Sequence, residues 1–425
     1  MEKQKFIVIG LTDSRQQYFR PEVLQLIKGG SVFSGGLRHR EIVQELLPAS
    51  CQWINITAPL DAVFAQYTNH SEVIVFASGD PLFFGFANTI IKRLPEASVK
   101  LYPAFNSLQT LAHELLLPYE DMRIISLTGR PWHEFDRALI ECAAKMGVLT
   151  DREHTPGAIA ERMLAYQYTD YVMHVGEHLG NEEKQRIRTL TLEEATTSTF
   201  EHPNNLILVN KRSTHLSSVS TDKVATEQMS QQKGRSAYFG IPDEGFQLLN
   251  GREKMITKAP IRLLTLSALG LQARTSFWDI GFCTGSVSIE AKLQFPHLKV
   301  TAFEIRGEGK QLMRDNAHLL GAPGITTVIG DFLQADLSSL PLPDAVFIGG
   351  HGGKLKEMIT KVTEVLSPGG IIVFNSVSEQ SRTLFLEGVE SNQRLRLNKP
   401  MRVSIDDYNP ITIMSATCTL QRPTI

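Results

Sequence analysis

The chain has little cysteine: four residues in 425. Cys51, Cys142, Cys283 and Cys418 lie far apart and form no Cys-x-x-Cys pair. Neither a disulfide framework nor a zinc site is expected from that spacing, so the protein reads as metal-independent. Also missing is any apolar run approaching the roughly 18 residues of a membrane span. The short run Phe6–Gly10 behind Met1–Lys5 is too brief for a signal peptide and carries no cleavage site, so a cytoplasmic location without membrane attachment is expected. Excess charge is absent as well. With 43 basic and 45 acidic residues the net charge is −2, and neither side of a cut at Phe239 is a basic module. That balance argues against nucleic acid and toward small-molecule partners. What is there is ordinary globular material, 42% hydrophobic and 21% charged, long enough for about three domains at ~150 residues each.

One polar stretch interrupts it. Residues 213–236 read STHLSSVSTDKVATEQMSQQKGRS, rich in Ser, Thr and Gln and without a sustained period. Three segments are therefore expected: 1–211, a linker at 212–238, and 239–425. In the first, strands are expected at Phe6–Ile9, Val73–Ala77, Val99–Tyr102, Arg123–Ser126, Lys145–Leu149, Tyr171–Val175 and Asn205–Val209. Helices are expected at Pro21–Lys28, His39–Leu47, Pro81–Arg93 and Pro156–Tyr166. In the last segment a helix at Thr257–Leu269 precedes strands at Ser276–Ile280, Lys299–Glu304, Thr326–Ile329, Ala345–Ile348 and Gly370–Asn375. Helices fill the gaps at Ser286–Gln294, Gly309–Leu320 and Leu355–Leu366. Strands separated by helix-length segments predict parallel βαβ units, two different α/β modules in one chain.

The sharper chemistry is in the last segment. FWDIGFCTGSVSIEAKL puts Asp279, Gly281 and Gly285 where a strand ends and a helix begins. Glycines there let backbone approach a ligand closely. The DxGxxxG spacing is not the GxGxxG of a pyrophosphate loop, which disfavours NAD-dependent reduction. Glu304 ends the next strand, suited to a ribose diol. Asp331 and Phe332 follow the third, an acid and an aromatic able to frame an adenine. A nucleoside site without a pyrophosphate clamp points to S-adenosylmethionine (SAM).

Four stretches, MITKAPIR, WDIGFCTGSVSIEA, DAVFIGGHGG and LSPGGIIVFNSVS, resemble the C-terminal methyltransferase of the precorrin-6Y methylating enzymes of cobalamin biosynthesis. The glycines Gly349, Gly350, Gly352 and Gly353 leave side-chain-free space where a flat macrocycle can approach, or form only a loop. The first segment resembles the tetrapyrrole methylases through IVFASGDPLFFG, YPAFNSLQTLAHELLLPYED, SLTGRP, VLTDREHTPGAIA and HVGEHLGNEEKQRIRTLTLEE. This implies a two-lobed tetrapyrrole-methylase fold followed by a Rossmann-like class I SAM methyltransferase fold.

The resemblance implies two SAM sites, one in each half. Gly10, Gly79, Asp80, Pro81, Ser107 and Thr128 belong to the first; Thr257, Asp279, Gly281, Gly285, Glu304, Asp331 and Phe332 belong to the second. Gly79-Asp80-Pro81 makes a tight turn in which Pro81 can start a helix. This chain departs from the family at three places. The glycine-rich first turn is Gly10-Leu11-Thr12-Asp13-Ser14, which narrows the space beside it. The paired serines are Asn106-Ser107. The usual His-Gly-Arg is Thr128-Gly129-Arg130, which removes a proton-transferring histidine.

The activity implied is bifunctional: methylation of a precorrin at meso carbons 5 and 15, with decarboxylation of the ring C acetate. The alternative is one active C-terminal methyltransferase beside a non-catalytic tetrapyrrole-binding or assembly module. An RNA or protein methyltransferase is a further alternative, disfavoured by the near-neutral charge and the lack of an NPPY-type motif. The partner is a small-molecule tetrapyrrole, and a homo-oligomer is expected from the family. The electron-rich meso carbon is the nucleophile, so alignment and water exclusion are the main tasks. Carboxylate arms call for cationic anchors: Lys258 and Arg262, one turn apart on the expected helix, and Arg130 in the first half. For each, a solvated face is the competing reading. His351 is the candidate proton donor for decarboxylation, and Asn375 a strand-end contact. Cys283 needs no reactive role.

Overall fold

The computed structural model describes residues 3–212, 239–252, 255–405 and 409–419. The expected linker, Arg212 apart, lies outside the described residues. The chain separates into two compact units. One takes the described residues up to Arg130, then Ala143–Glu161 and residues 170–212. The other takes Pro131–Cys142, Arg162–Thr169 and the described residues from Phe239 on.

The first unit holds two five-stranded sheets. Strands Lys5–Leu11 (β1), Val32–Gly35 (β2), Gln52–Asn55 (β3), Glu72–Ser78 (β4) and Ser98–Tyr102 (β5) pair in parallel in the order β3-β2-β4-β1-β5. Their near-continuous apolar runs are what a sheet covered on both faces requires. Phe6, Val8, Val73 and Val75 pack on one side against Val63, Phe64 and Ile90. On the other, Ile7, Ile9, Ile74 and Phe76 pack against Val23, Ile27 and Val43.

The second sheet departs from the parallel expectation. Arg123–Ser126 (β6), Lys145–Leu149 (β7), Tyr171–Glu177 (β8), Arg186–Leu190 (β9) and Asn204–Asn210 (β10) pair in the order β6-β7-β10-β8-β9. Only β6 and β7 run parallel; β10 is antiparallel to both β7 and β8, and β8 to β9. The link from Glu177 to Arg186 is too short for a parallel crossover, which needs about a dozen residues. The helix expected from Pro81 starts instead at Phe86. The Asp80 carboxylate accepts the Leu82 N–H at 2.8 Å and holds a turn there, and Phe84 takes a left-handed backbone, φ 53°.

The second unit is built on one sheet. Ser276–Ile280 (β11), Lys299–Glu304 (β12), Ile325–Ile329 (β13), Ala345–Ile348 (β14), Ile371–Ser376 (β15), Leu395–Leu397 (β16), Met401–Val403 (β17) and Ile411–Cys418 (β18) form it. The order is β13-β12-β11-β14-β15-β18-β16, with β17 also on β18. The first five are parallel and β18 is antiparallel to β15. Alternation sends Trp278 and Ile280 to one face, with Ile359, Val362 and Phe385, and Phe277 to the other, with Leu266, Val287 and Ala291. Strand order reverses at β11, which opens a crevice at its carboxyl end. Among the described residues, no helix is long and apolar enough to cross a membrane.

Candidate active sites

In the second unit the residues after four parallel strands converge at that crevice. The Gly281 N–H donates to Phe303 O at 2.8 Å, Gly330 N–H to Glu304 O at 2.9 Å, and Gly349 N–H to Ile280 O at 2.8 Å. Gly281 has φ +78°, and a Cβ there would lie 2.6 Å from the Gly350 nitrogen. Both facts require glycine. Thus Asp279, Gly281, Gly285, Glu304 and the start of the Gly349-Gly350 stretch lie at one strand-end crevice.

Asp279 is buried. One carboxylate oxygen accepts the Ser288 hydroxyl at 2.6 Å, while Oδ1 has no partner. Burial pushes its pKa up to about 7 against the Ser288 hydrogen bonds, with Glu304 adding to the rise. Thr284 Oγ1, in the turn before the helix Ser286–Gln294, is likewise buried without a partner. Glu304 accepts the Cys283 N–H at 2.9 Å and the Arg306 N–H at 3.1 Å, which aims a carboxylate with lone pairs to spare. Two orphaned polar atoms, an aimed acid and a glycine-lined floor fit SAM, with its ammonium, carboxylate and ribose hydroxyls.

Other expected residues are placed differently. Phe332 is buried between Trp278 and Phe303, with ring centroids at 6.4 and 5.0 Å, so it builds the core and cannot face an adenine. Asp331 accepts the Leu333 N–H at 3.0 Å and pairs with Lys354 at 3.1 Å; these bonds, the backbone one first, hold its pKa down. Arg262 is not an anchor. The helix begins at Ala259, behind Lys258, and Arg262 turns inward to 0% exposure. Its guanidinium donates to Glu290 at 2.7 Å, to Thr257 O at 2.8 Å and to Ile241 O. Thr257 thereby supplies a carbonyl to Arg262. Lys258 sits 3.5 Å from Asp243 with 36% of its side chain exposed. Asn375 donates to Thr265 at 2.9 Å and pins that helix to β15. His351 Nδ1 accepts the Gly353 N–H at 3.1 Å, and burial lowers its pKa. The neutral ring then carries its hydrogen on Nε2, which suits a hydrogen-bond donor better than a source of protons.

In the first unit, backbone is pressed on backbone. A Cβ on Gly10 would lie 1.9 Å from Gly79 O and 2.6 Å from Ala104 N; one on Gly79, φ +58°, would lie 2.7 Å from Asn106 Cα. The ends of β1, β4 and β5 are therefore locked together, and Ser107 opens the following helix with Asn106 as its cap, accepting the Gln109 N–H at 2.9 Å. Asp80 is spent on its own turn, and Pro81 is buried. Thr128 donates to Thr150 O at 3.1 Å, and the Gly129 N–H donates to Asp151 at 2.9 Å. Against the cost of burial, backbone N–H groups of His154 and Gly129 hold Asp151 down at about 2. The Arg130 guanidinium lies 4.8 Å over the Phe84 ring, in a pocket of about 440 Å³ lined also by Leu82, Phe83 and Asn88. The glycines lost from the first turn are replaced by a loop that holds itself, the Thr12 N–H donating to Gln17 at 3.2 Å.

The sequence reading missed Thr284 and Ser288. The available signal was their position, polar residues inside and just after the DxGxxxG turn, at the start of a helix buried from Ser286 to Lys292.

The pattern of the family described as tetrapyrrole (corrin/porphyrin) methylases matches residues 17–196. That of the precorrin methyltransferase domain matches residues 250–416. A precorrin-6Y C(5,15)-methyltransferase [decarboxylating] from Sinorhizobium sp is 30% identical over 382 residues, 89% of this chain and 86% of that protein. The chain belongs to the precorrin-6Y C(5,15)-methyltransferase (decarboxylating) family. It is a SAM-dependent methyltransferase of cobalamin biosynthesis. A cobalt-precorrin-6B C(15)-methyltransferase (decarboxylating) from Salmonella typhimurium is 37% identical over 141 residues, 33% of this chain and 71% of that protein. A crystal structure of a precorrin-6Y C5,15-methyltransferase from Geobacter metallireducens shares 35% identity, covers 42% of this chain and 96% of its own, and has a TM-score of 0.38.

Proposed function

We propose that this precorrin-6Y methyltransferase uses two SAM sites, one in residues 1–211 for meso carbon 5 and one in residues 239–425 for meso carbon 15 with loss of the ring C acetate carboxyl. The observation that carries the reading is the presence, in one chain, of two unlike glycine-crowded turns at the carboxyl ends of parallel strands in two separate sheets. A relative named for the C(15) step alone matches only 33% of the chain, which supports assigning the two methylations to different parts. Bound SAM supplies an activated methyl group. At each site the meso carbon forms the new C–C bond as the C–S bond breaks, and the meso proton leaves.

In the second unit Asp279 and Glu304 orient SAM, and the Gly349–Gly353 stretch leaves room for the macrocycle. Decarboxylation breaks the C–C bond to the acetate carboxyl, its electron pair enters the conjugated ring, and a proton then completes the methyl. His351 Nε2–H and Lys258 hold the departing carboxylate. In the first unit Arg130 takes a carboxylate arm. The test is product mass after incubating the full chain with precorrin-6Y and labelled SAM. Two labelled methyl groups and loss of carbon dioxide are expected; at SAM concentrations too low to fill the weakened site, Glu304→Ala should leave mainly product with one methyl group and an intact acetate. One methyl group from the wild type contradicts the reading and favours a non-catalytic first unit.

A further inference from the structure

Beside the first turn, the first unit gathers polar side chains that the chemistry above leaves unused. Alternation puts Ser78 on the face of β4 that carries Ile74 and Phe76. There its Oγ lies 3.0 Å from Arg38 Nη2 and 2.9 Å from His39 Nε2. The other ring nitrogen of His39, Nδ1, accepts the Gly36 N–H at 3.2 Å. Burial, then the Arg38 charge, lowers the His39 pKa to about 4, so the ring is neutral. A neutral imidazole that accepts at Nδ1 carries its hydrogen on Nε2, and therefore donates to Ser78. Both lone pairs of the Ser78 oxygen then face donors, and its own hydrogen must be offered to a third group. Ser78 is exposed. Arg38, with 41% of its side chain exposed, brings positive charge to the same place, shared on one side with Asp13 at 3.2 Å. Asp13 also faces His178 at 3.6 Å.

We infer that Arg38, His39 and Ser78 form a carboxylate subsite in the first unit. Arg38 and the Ser78 hydroxyl touch the anion, and His39 is a positioning residue that fixes which way the hydroxyl points. The inference rests on the reading of this unit as a methyltransferase site. Two ligands of that site carry carboxylates, the arms of the tetrapyrrole and the methionyl end of SAM. Asp13 competes with either for Arg38, which makes the sign of its substitution diagnostic.

The test titrates the full chain with precorrin-6Y, followed by absorbance, and with SAM, followed by calorimetry. Arg38→Gln and Ser78→Ala should each weaken one of the two ligands about tenfold or more, the size of a lost charge-assisted hydrogen bond. Asp13→Asn should tighten the same ligand about threefold by removing a competing charge, the opposite of what damage to the fold would do. His39→Gln, which keeps a side-chain N–H, should hold affinity that His39→Leu loses. Arg40→Gln removes the same charge from the helix Leu37–Val43 that also carries Arg38, where Arg40 lies over Trp53, and should change neither ligand. Weakening confined to precorrin-6Y assigns the subsite to a macrocycle arm; weakening confined to SAM assigns it to the methionyl carboxylate. Unchanged affinities in Arg38→Gln and Ser78→Ala, or weakening in Asp13→Asn, overturn the subsite. The methyl count of the wild-type product separates this result from the parent reading. One methyl group, with Ser78→Ala still weakening a ligand, overturns the two-site reading and leaves the subsite standing.

Discussion

The two units hold a turn at the end of a parallel strand, but they hold it with different material. In the second unit acids reach the crevice: Glu304 is aimed by two backbone N–H groups, and Asp279 keeps one oxygen without a partner. In the first, the acids near the turns are consumed locally, Asp80 by Leu82 and Asp151 by Gly129, Glu153 and His154. What the turns themselves offer there is backbone groups and the space that Gly10 and Gly79 preserve. Substitution of acids should therefore hurt the second site, whereas the first should tolerate loss of its acids and be broken through its glycines and its cationic side chains.

The largest effects sharpen this contrast at the backbone. Gly10→Ala places a methyl 1.9 Å from Gly79 O, and Gly281→Ala places one 2.6 Å from Gly350 N at φ +78°. Neither neighbour can yield without moving a strand end, so each should abolish methylation at its own meso carbon and spare the other, read by product mass. Arg262 comes next. Arg262→Ala leaves the buried Glu290 carboxylate without its counter-charge, held only by the Gly240 and Ile241 N–H groups, which should cost about 3–5 kcal/mol of stability in denaturant unfolding. A merely raised KM for the macrocycle at unchanged stability would restore Arg262 as an anchor.

Glu304→Ala should weaken SAM at one site by about 1–3 kcal/mol, because ribose hydroxyls lose a charged acceptor. Asp80→Ala, by contrast, should cost SAM affinity less than about 1 kcal/mol, since only a turn bond is lost; equal losses would erase the distinction between the units. The smallest effect is one of pH. A SAM donor meeting Asp279 Oδ1 favours the ionised acid, so binding lowers a pKa that burial has raised to about 7. Affinity at the second site should rise as pH increases toward about 7 and level off above it, by about tenfold for each unit by which binding lowers that pKa. Asp279→Asn should flatten that difference in calorimetry at pH 6 and 8.

How much was legible follows the same divide. The parallel core strands and the crevice residues could be read because apolar runs and the spacing of Asp279, Gly281 and Gly285 are local signals. Short strands such as Val32–Gly35 and Gln52–Asn55 gave too few residues for a pattern. Arg262 and Phe332 were assigned to the ligand because helical spacing and a strand-end position do not say which way a side chain turns. Their burial is set by Glu290, and by Trp278 and Phe303, which are distant in sequence. The antiparallel half of the second sheet was hidden for a similar reason, since pairing direction depends on connection length rather than strand composition.

Both units are expected to bind SAM. Calorimetric titration of the full-length wild type and of Gly281→Ala with SAM counts the sites. Two SAM molecules per wild-type chain and one per Gly281→Ala chain are predicted. One per wild-type chain, lost entirely in Gly281→Ala, would contradict the account and leave the first unit without a cofactor of its own.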